Sequence, residues 1–115
     1  MNAQRVVLSD KLVAHLRKKG LRYVLMDVAF CKSCGGAVGE LFARPMKDAE
    51  AEEALGRAGV RRFFCEDEHD GRICVGDAPV ELVVANPAIK LEAVVRLSPR
   101  ALLGCADLRI EGAAY

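Results

Sequence analysis

Two thiols three positions apart, Cys31 and Cys34, open the run Cys31-Lys32-Ser33-Cys34-Gly35-Gly36. Sulfurs at that spacing can share one metal ion, close a small disulfide, or exchange electrons as a dithiol. Lys32 between them would stabilise a thiolate, which makes a better nucleophile and a better ligand. Gly35 and Gly36 let the backbone turn sharply and come close to whatever the sulfurs hold, with N–H groups available to donate to sulfur. The alternative is that both cysteines only fill space. A turn that needs nothing but polarity has little use for two thiols framing Lys-Ser.

The chain carries five cysteines, an odd number that cannot all pair within it. Cys65 and Cys74 fall in strand-like runs, where a cysteine usually serves as a small buried hydrophobe. Were those runs to form a hairpin, the two would draw near and a four-cysteine site would become geometrically possible, although nothing in the spacing requires one. Cys105, after Gly104 at a turn, is the outlying ligand candidate. Asp27 is the odd member of an apolar stretch. It is either a carboxylate bonded to backbone or Tyr at the sheet rim, or a proton acceptor for the cysteine pair. Four residues of strand would carry it ~13 Å from Cys31, which favours the rim. His15 has no ligand partner at helical spacing and reads as a boundary histidine. The acidic run Glu66-Asp67-Glu68-His69-Asp70-Gly71 lacks the length and alternation of a calcium loop and reads as a solvated turn.

The elements that must position the thiols follow from local pattern. Val6-Val7-Leu8 is a short β-type run. Ser9 is a good N-cap, Leu8, Leu12 and Leu16 repeat at helical spacing, and Gly20 is a stop, so a helix is predicted over 9–19. Leu21 to Phe30 reads as a buried strand, with Val24, Met26, Val28 and Phe30 on one face and Tyr23, Leu25, Asp27 and Ala29 on the other. Ala37 to Arg44 runs back as its hairpin partner, ended by Pro45, with the thiols at the tip. Met46 to Arg57 has helical composition, with a solvated acidic face and a packing edge of Met46 and Leu55. Strands are predicted over 60–65, 72–75, 80–85, 91–97 and 107–111. Asp70-Gly71 marks a hairpin turn. Ser98-Pro99 reads as an N-cap with Pro at the first helical position, opening a single turn over 101–104.

At 115 residues, residues 1–115 are expected to form one domain with a core of its own. With no Trp, two Tyr and four Phe, that core must be aliphatic. A net charge of +1 gives no basic face for nucleic acid, and Arg17-Lys18-Lys19 reads as a solvated helix end. No stretch reaches the ~20 apolar residues of a membrane span, and Met1 to Arg5 does not lead into a signal-peptide core. These features predict a cytoplasmic protein whose thiols stay reduced. Together they describe an α+β domain dominated by a sheet.

The order of helix, apolar strand, Cys/Gly-rich turn and return strand resembles the HesB-like, or A-type iron–sulfur carrier, family, in particular its small branch with paired cysteines or a selenocysteine at the turn. Ser98-Pro99-Arg100-Ala101-Leu102-Leu103-Gly104 with Leu108-Arg109-Ile110-Glu111 is similar to that family's Leu-x-Gly turn and following strand. The resemblance implies a compact, sandwich-like β fold with an N-terminal helix and short flanking helices. It also implies iron or iron–sulfur binding by cysteines, a role that falls on Cys31 or Cys34, and a homodimer or an iron–sulfur assembly or redox partner. Zinc is a further option for the same thiols. The competing thioredoxin-like reading would place Cys34 in a long helix. Gly35, Gly36 and Gly39 would each cost about 1 kcal/mol there, and Pro45 would break it.

Overall fold

The computed structural model describes residues 4–31, 38–69, 71–100 and 104–115, with side chains described for all of these except 31, 38 and 104–107. The predicted helix is present as α1 (Asp10–Lys19), and its caps explain its limits. The Ser9 side chain accepts a hydrogen bond from the Leu12 N–H at 3.3 Å. Gly20 closes the helix with φ +67, a left-handed conformation that costs glycine little.

Ten strands accompany two helices among the described residues: β1 (Arg5–Leu8), β2 (Tyr23–Cys31), β3 (Val38–Met46), β4 (Arg61–Asp67), β5 (Gly71–Arg72), β6 (Cys74–Val75), β7 (Ala78–Pro79), β8 (Glu81–Val84), β9 (Lys90–Arg100) and β10 (Gly104–Ala114), with α2 at Asp48–Leu55. Seven strands run in the order β10-β9-β1-β4-β8-β2-β3, β5 hangs on β4, and β6 and β7 form a separate small hairpin. β1 is parallel to both of its neighbours, and β2 is parallel to β8. The main sheet curls until its end strands β3 and β10 lie against each other, giving a nearly closed, barrel-like surface. The expected β-rich fold with an N-terminal helix is therefore present, but one curled sheet stands where two packed sheets were expected.

The curl sorts side chains into an inside and an outside. Val6, Leu8, Val24, Met26, Leu82, Val84, Val95, Leu97 and Leu108 pack inside, and α1 adds Leu12, Val13 and Leu16 to that cluster. Outside, Leu25, Met46 and Val83 meet Ala51 and Ala54 of α2. The alternation read from β2 holds, because Val24 and Met26 face inward while Leu25 faces α2. Met46 and Leu55 do pack in that outer cluster, as expected, but they are not the whole packing edge of α2. Ala51 and Ala54 are its buried residues, since their small side chains let the helix lie close to the sheet. Two exposed ion pairs, Arg22–Asp48 and Arg44–Glu50, link this helix to the strand ends.

Two prolines were misread. Pro45 lies inside β3, opposite Val24, instead of ending the strand. Even-numbered residues of β2 aim their backbone groups at β8, so Val24 asks nothing of Pro45, and the missing N–H falls on the outer side of an edge strand. Pro99 lies inside β9, opposite Leu108, with Ser98 opposite Arg109, so no helix starts there. The Ser9 N–H donates to the Leu97 carbonyl at 3.0 Å, which shows that odd-numbered β9 residues face β1. β1 has ended by the level of Pro99, so its absent N–H breaks no ladder bond. Residues 101–103 of the expected turn lie outside the described residues.

Candidate functional site

The thiol-bearing hairpin forms. β2 and β3 pair antiparallel from Tyr23↔Met46 to Cys31↔Val38, so Cys31 is the last paired residue before the six-residue connection 32–37. Lys32, Cys34, Gly35 and Gly36 belong to that connection and lie outside the described residues. The hairpin outruns the sheet that supports it. β8 pairs with β2 only from Tyr23 to Met26, and beyond that point Ala29 and Phe30 are exposed.

Two aromatic rings flank this end of β2. Phe30 and Tyr115 meet edge to face, with centroids 6.4 Å apart and planes at 80°. Gly39 is paired with Phe30 in the ladder, and the Tyr115 ring occupies the space that a side chain at Gly39 would need. The end of the chain beyond β10 therefore braces the hairpin just below Cys31.

Asp27 lies on β2, four residues before Cys31. Its Oδ1 accepts the N–H of Val28 at 2.8 Å, a bond within its own strand. The backbone-bonded reading of this carboxylate is the one the geometry supports.

Of the remaining cysteines, Cys65 and Cys74 do not gather. Cys65 is buried in the interior cluster. Burial, with the nearby Glu81 charge adding to it, pushes its thiol far above the ordinary range, so it stays protonated and inert. Cys74 is exposed on β6. The Ile73 N–H donates to the Cys65 carbonyl at 3.2 Å, so the two cysteines are close along the sheet, but Ile73 takes the inward position and Cys74 points out. Cys65 and Cys74 therefore do not share a site. Cys105 falls in β10 where the ladder is interrupted: Gly104 pairs with Arg100 and Leu108 with Pro99, leaving 105–107 without partners on β9. It lies ten positions from Tyr115, up to ~33 Å along a strand. The end of β10 that reaches the thiol hairpin is the Tyr115 end.

A second cluster was only half visible in the sequence. Asp10, Glu68 and His69 bring their ligand atoms within 4.8 Å of one another, all three exposed. His69 Nε2 lies 3.5 Å from Asp10 Oδ2. The run Glu66 to Gly71 marked the turn, but Asp10 was missed because its arrival depends on a long-range parallel pairing, Leu8↔Asp67, which sets the start of α1 beside the β4–β5 turn. As an exposed group it suits a solvated ion pair.

Among the described residues, no helix is long and apolar enough to cross a membrane. No protein-family model matches the chain, and no curated protein and no solved structure matches it either.

Proposed function

We propose that this chain is a small thiol protein that binds iron, an iron–sulfur cluster or another soft metal, zinc included, through Cys31 and Cys34. The observation that supports the reading is the strand–turn–strand setting of Cys31 at the end of the β2–β3 ladder. Metal-binding turns commonly carry their thiols on the short connection of a hairpin, and glycines there suit close approach of backbone N–H groups to sulfur. The resemblance to HesB-like carriers points the same way, and the β-rich fold with its N-terminal helix is compatible with it. Two thiols make half of a tetrahedral donor set, so a second chain or an assembly partner would complete it. Binding of metal rather than enzymatic turnover is the activity this reading assigns.

Anaerobic reconstitution with iron and sulfide, followed by absorbance and metal analysis, tests it. Wild type should take up metal and develop charge-transfer bands, and Cys31→Ser/Cys34→Ser should do neither. An unchanged wild-type spectrum with no retained metal overturns the proposal.

The second reading is a dithiol–disulfide oxidoreductase or redox sensor using the same pair, with Cys31 as the attacking thiol. The exposure of Ala29 and Phe30 beside the pair favours it, since a protein partner could approach there. Insulin reduction and a measured pair potential separate it from metal binding. A potential far below the cytosolic poise would make the pair a poor oxidant.

A further inference from the structure

β2 has a free edge, and the hydrogen-bonding groups left on it are self-complementary. Along β2 the even-numbered residues face β8: the Glu81 N–H donates to the Arg22 carbonyl and the Ala85 N–H to the Met26 carbonyl, each at 2.9 Å. β8 stops at Val84, whereas β2 continues to Cys31. By alternation, the backbone groups of Val28 and Phe30 face the same side as those of Met26, and among the described residues no strand pairs with them there.

Asp27 has already dealt with one of these groups, because its carboxylate holds the Val28 N–H. The edge is thereby blunted at Val28 and open at Phe30, which keeps both a donor and an acceptor. An antiparallel pair in which a residue faces its own copy exchanges two hydrogen bonds and needs one N–H and one C=O from each chain. A pairing centred on Val28 or Ala29 would have to pull the Val28 N–H away from Asp27. Phe30 is the centre that costs nothing already made.

The side chains agree with the backbone. Phe30 is 56% exposed and Tyr115 54% exposed, and they stand together. Phe64, on β4, is likewise 52% exposed, with the Arg72 guanidinium 4.4 Å from its ring centroid. Among these rings it is Phe30 that lies at the open part of the edge, with Tyr115 beside it over Gly39 of β3. We propose that two copies of this chain pair antiparallel along β2, Phe30 opposite Phe30, with the Phe30 and Tyr115 rings of both copies packed together about the two-fold axis. The pairing needs no metal and stands apart from the thiol reading.

Sedimentation velocity across a ~1–300 μM range, with EDTA and a phosphine reductant to remove metal and intermolecular disulfides, tests it. The wild type should show a concentration-dependent monomer–dimer equilibrium. Phe30→Pro removes the edge N–H, and by the same alternation leaves the β2–β3 ladder its bonds; it should weaken the dimer at least about tenfold. Phe30→Lys leaves the backbone intact, sets two like charges face to face, and should weaken it as much, so the result does not depend on the proline variant folding. A wild type that stays monomeric throughout, or a dimer that survives Phe30→Lys, overturns the proposal.

Discussion

The ring of Tyr115 rests on the backbone of Gly39, so close that a Cβ at that glycine would stand 2.5 Å from Cε2. A Val28 methyl group, 2.9 Å from the same point, closes the other side. The glycine is thus a seat for an aromatic ring at the place where the two ends of the curled sheet meet. Gly39→Ala should destabilise the fold by about 1–3 kcal/mol, in the range of overpacking. The check is a double-mutant cycle by chemical denaturation. In a Tyr115→Ala background the same substitution should cost less, with the remainder due to Val28.

Cys65 makes a prediction about alkaline pH. Its folded thiol is held protonated by burial, while in the unfolded chain it ionises near the ordinary thiol value of 9.0. Above that pH the unfolded state binds fewer protons than the folded one, so stability is fully present below about pH 9 and falls as pH rises. The slope should approach ~1.4 kcal/mol per pH unit from this group. Denaturation curves at pH 8, 9 and 10 should show that loss in wild type, and Cys65→Ala should lack this component, although it starts from a lower stability because of the cavity it leaves.

The contrast between the two described free thiols gives a simpler measurement. Cys74 is exposed and Cys65 is 1% exposed. In a Cys31→Ser/Cys34→Ser/Cys105→Ser background, a thiol reagent at neutral pH should modify Cys74 at once and Cys65 only at the rate of unfolding. Mass spectrometry of the labelled peptides reads both. Rapid labelling of Cys65 in native protein would place it outside the core.

Glu81 is a charge buried on the outer face, and Arg62 satisfies it with two hydrogen bonds of 2.9 and 2.8 Å. Arg62→Ala removes the partner and leaves a carboxylate at 7% side-chain exposure without its donor. A loss of about 2–4 kcal/mol is expected, larger than for an exposed pair. Adding Glu81→Gln should recover part of it, because the neutral amide is cheaper to bury. Equal stability of Arg62→Ala and wild type in urea would contradict this account.

Gly112 is a position where no other residue fits. It has φ +87, and a Cβ there would run into the carbonyl of Val94. It sits at an irregularity where β10 offers one residue between Glu111 and Ala113 while β9 spans from Arg96 to Leu91. Gly112→Ala should cost at least about 2 kcal/mol, through strain and a backbone clash together, and a thermal melt checks it.

What could be read from the sequence was what is decided locally. α1 was legible because Ser9, the Leu12/Leu16 spacing and Gly20 are all within one segment. The β2–β3 hairpin was legible because its strands are adjacent in sequence and glycines mark the connection. Pro45 and Pro99 misled because a proline's cost in a sheet depends on which side its missing N–H faces, and that side is set by neighbours far away in sequence. The Ala51/Ala54 face of α2 gave no signal, since alanine spacing says little until a sheet lies beneath it. Of the candidate site, the placement of Cys31 at a strand end was legible. The inertness of Cys65 followed only from burial, and the Tyr115 brace and the Asp10–His69 approach depended on long-range pairings.

The central place of β1 has a consequence for the order of assembly. Its four residues pair in parallel with β4 on one side and with β9 on the other, through Val6↔Cys65 and Val6↔Val95. β1 is therefore made long before it can be seated between both neighbours, because the partner that closes over it lies some ninety positions downstream. The β2–β3 hairpin needs no such wait, since its two strands are joined by six residues. During synthesis the β2–β3 ladder can form while the core beneath β1 is still open, so the strand that carries Cys31 is paired before the fold that supports it is complete.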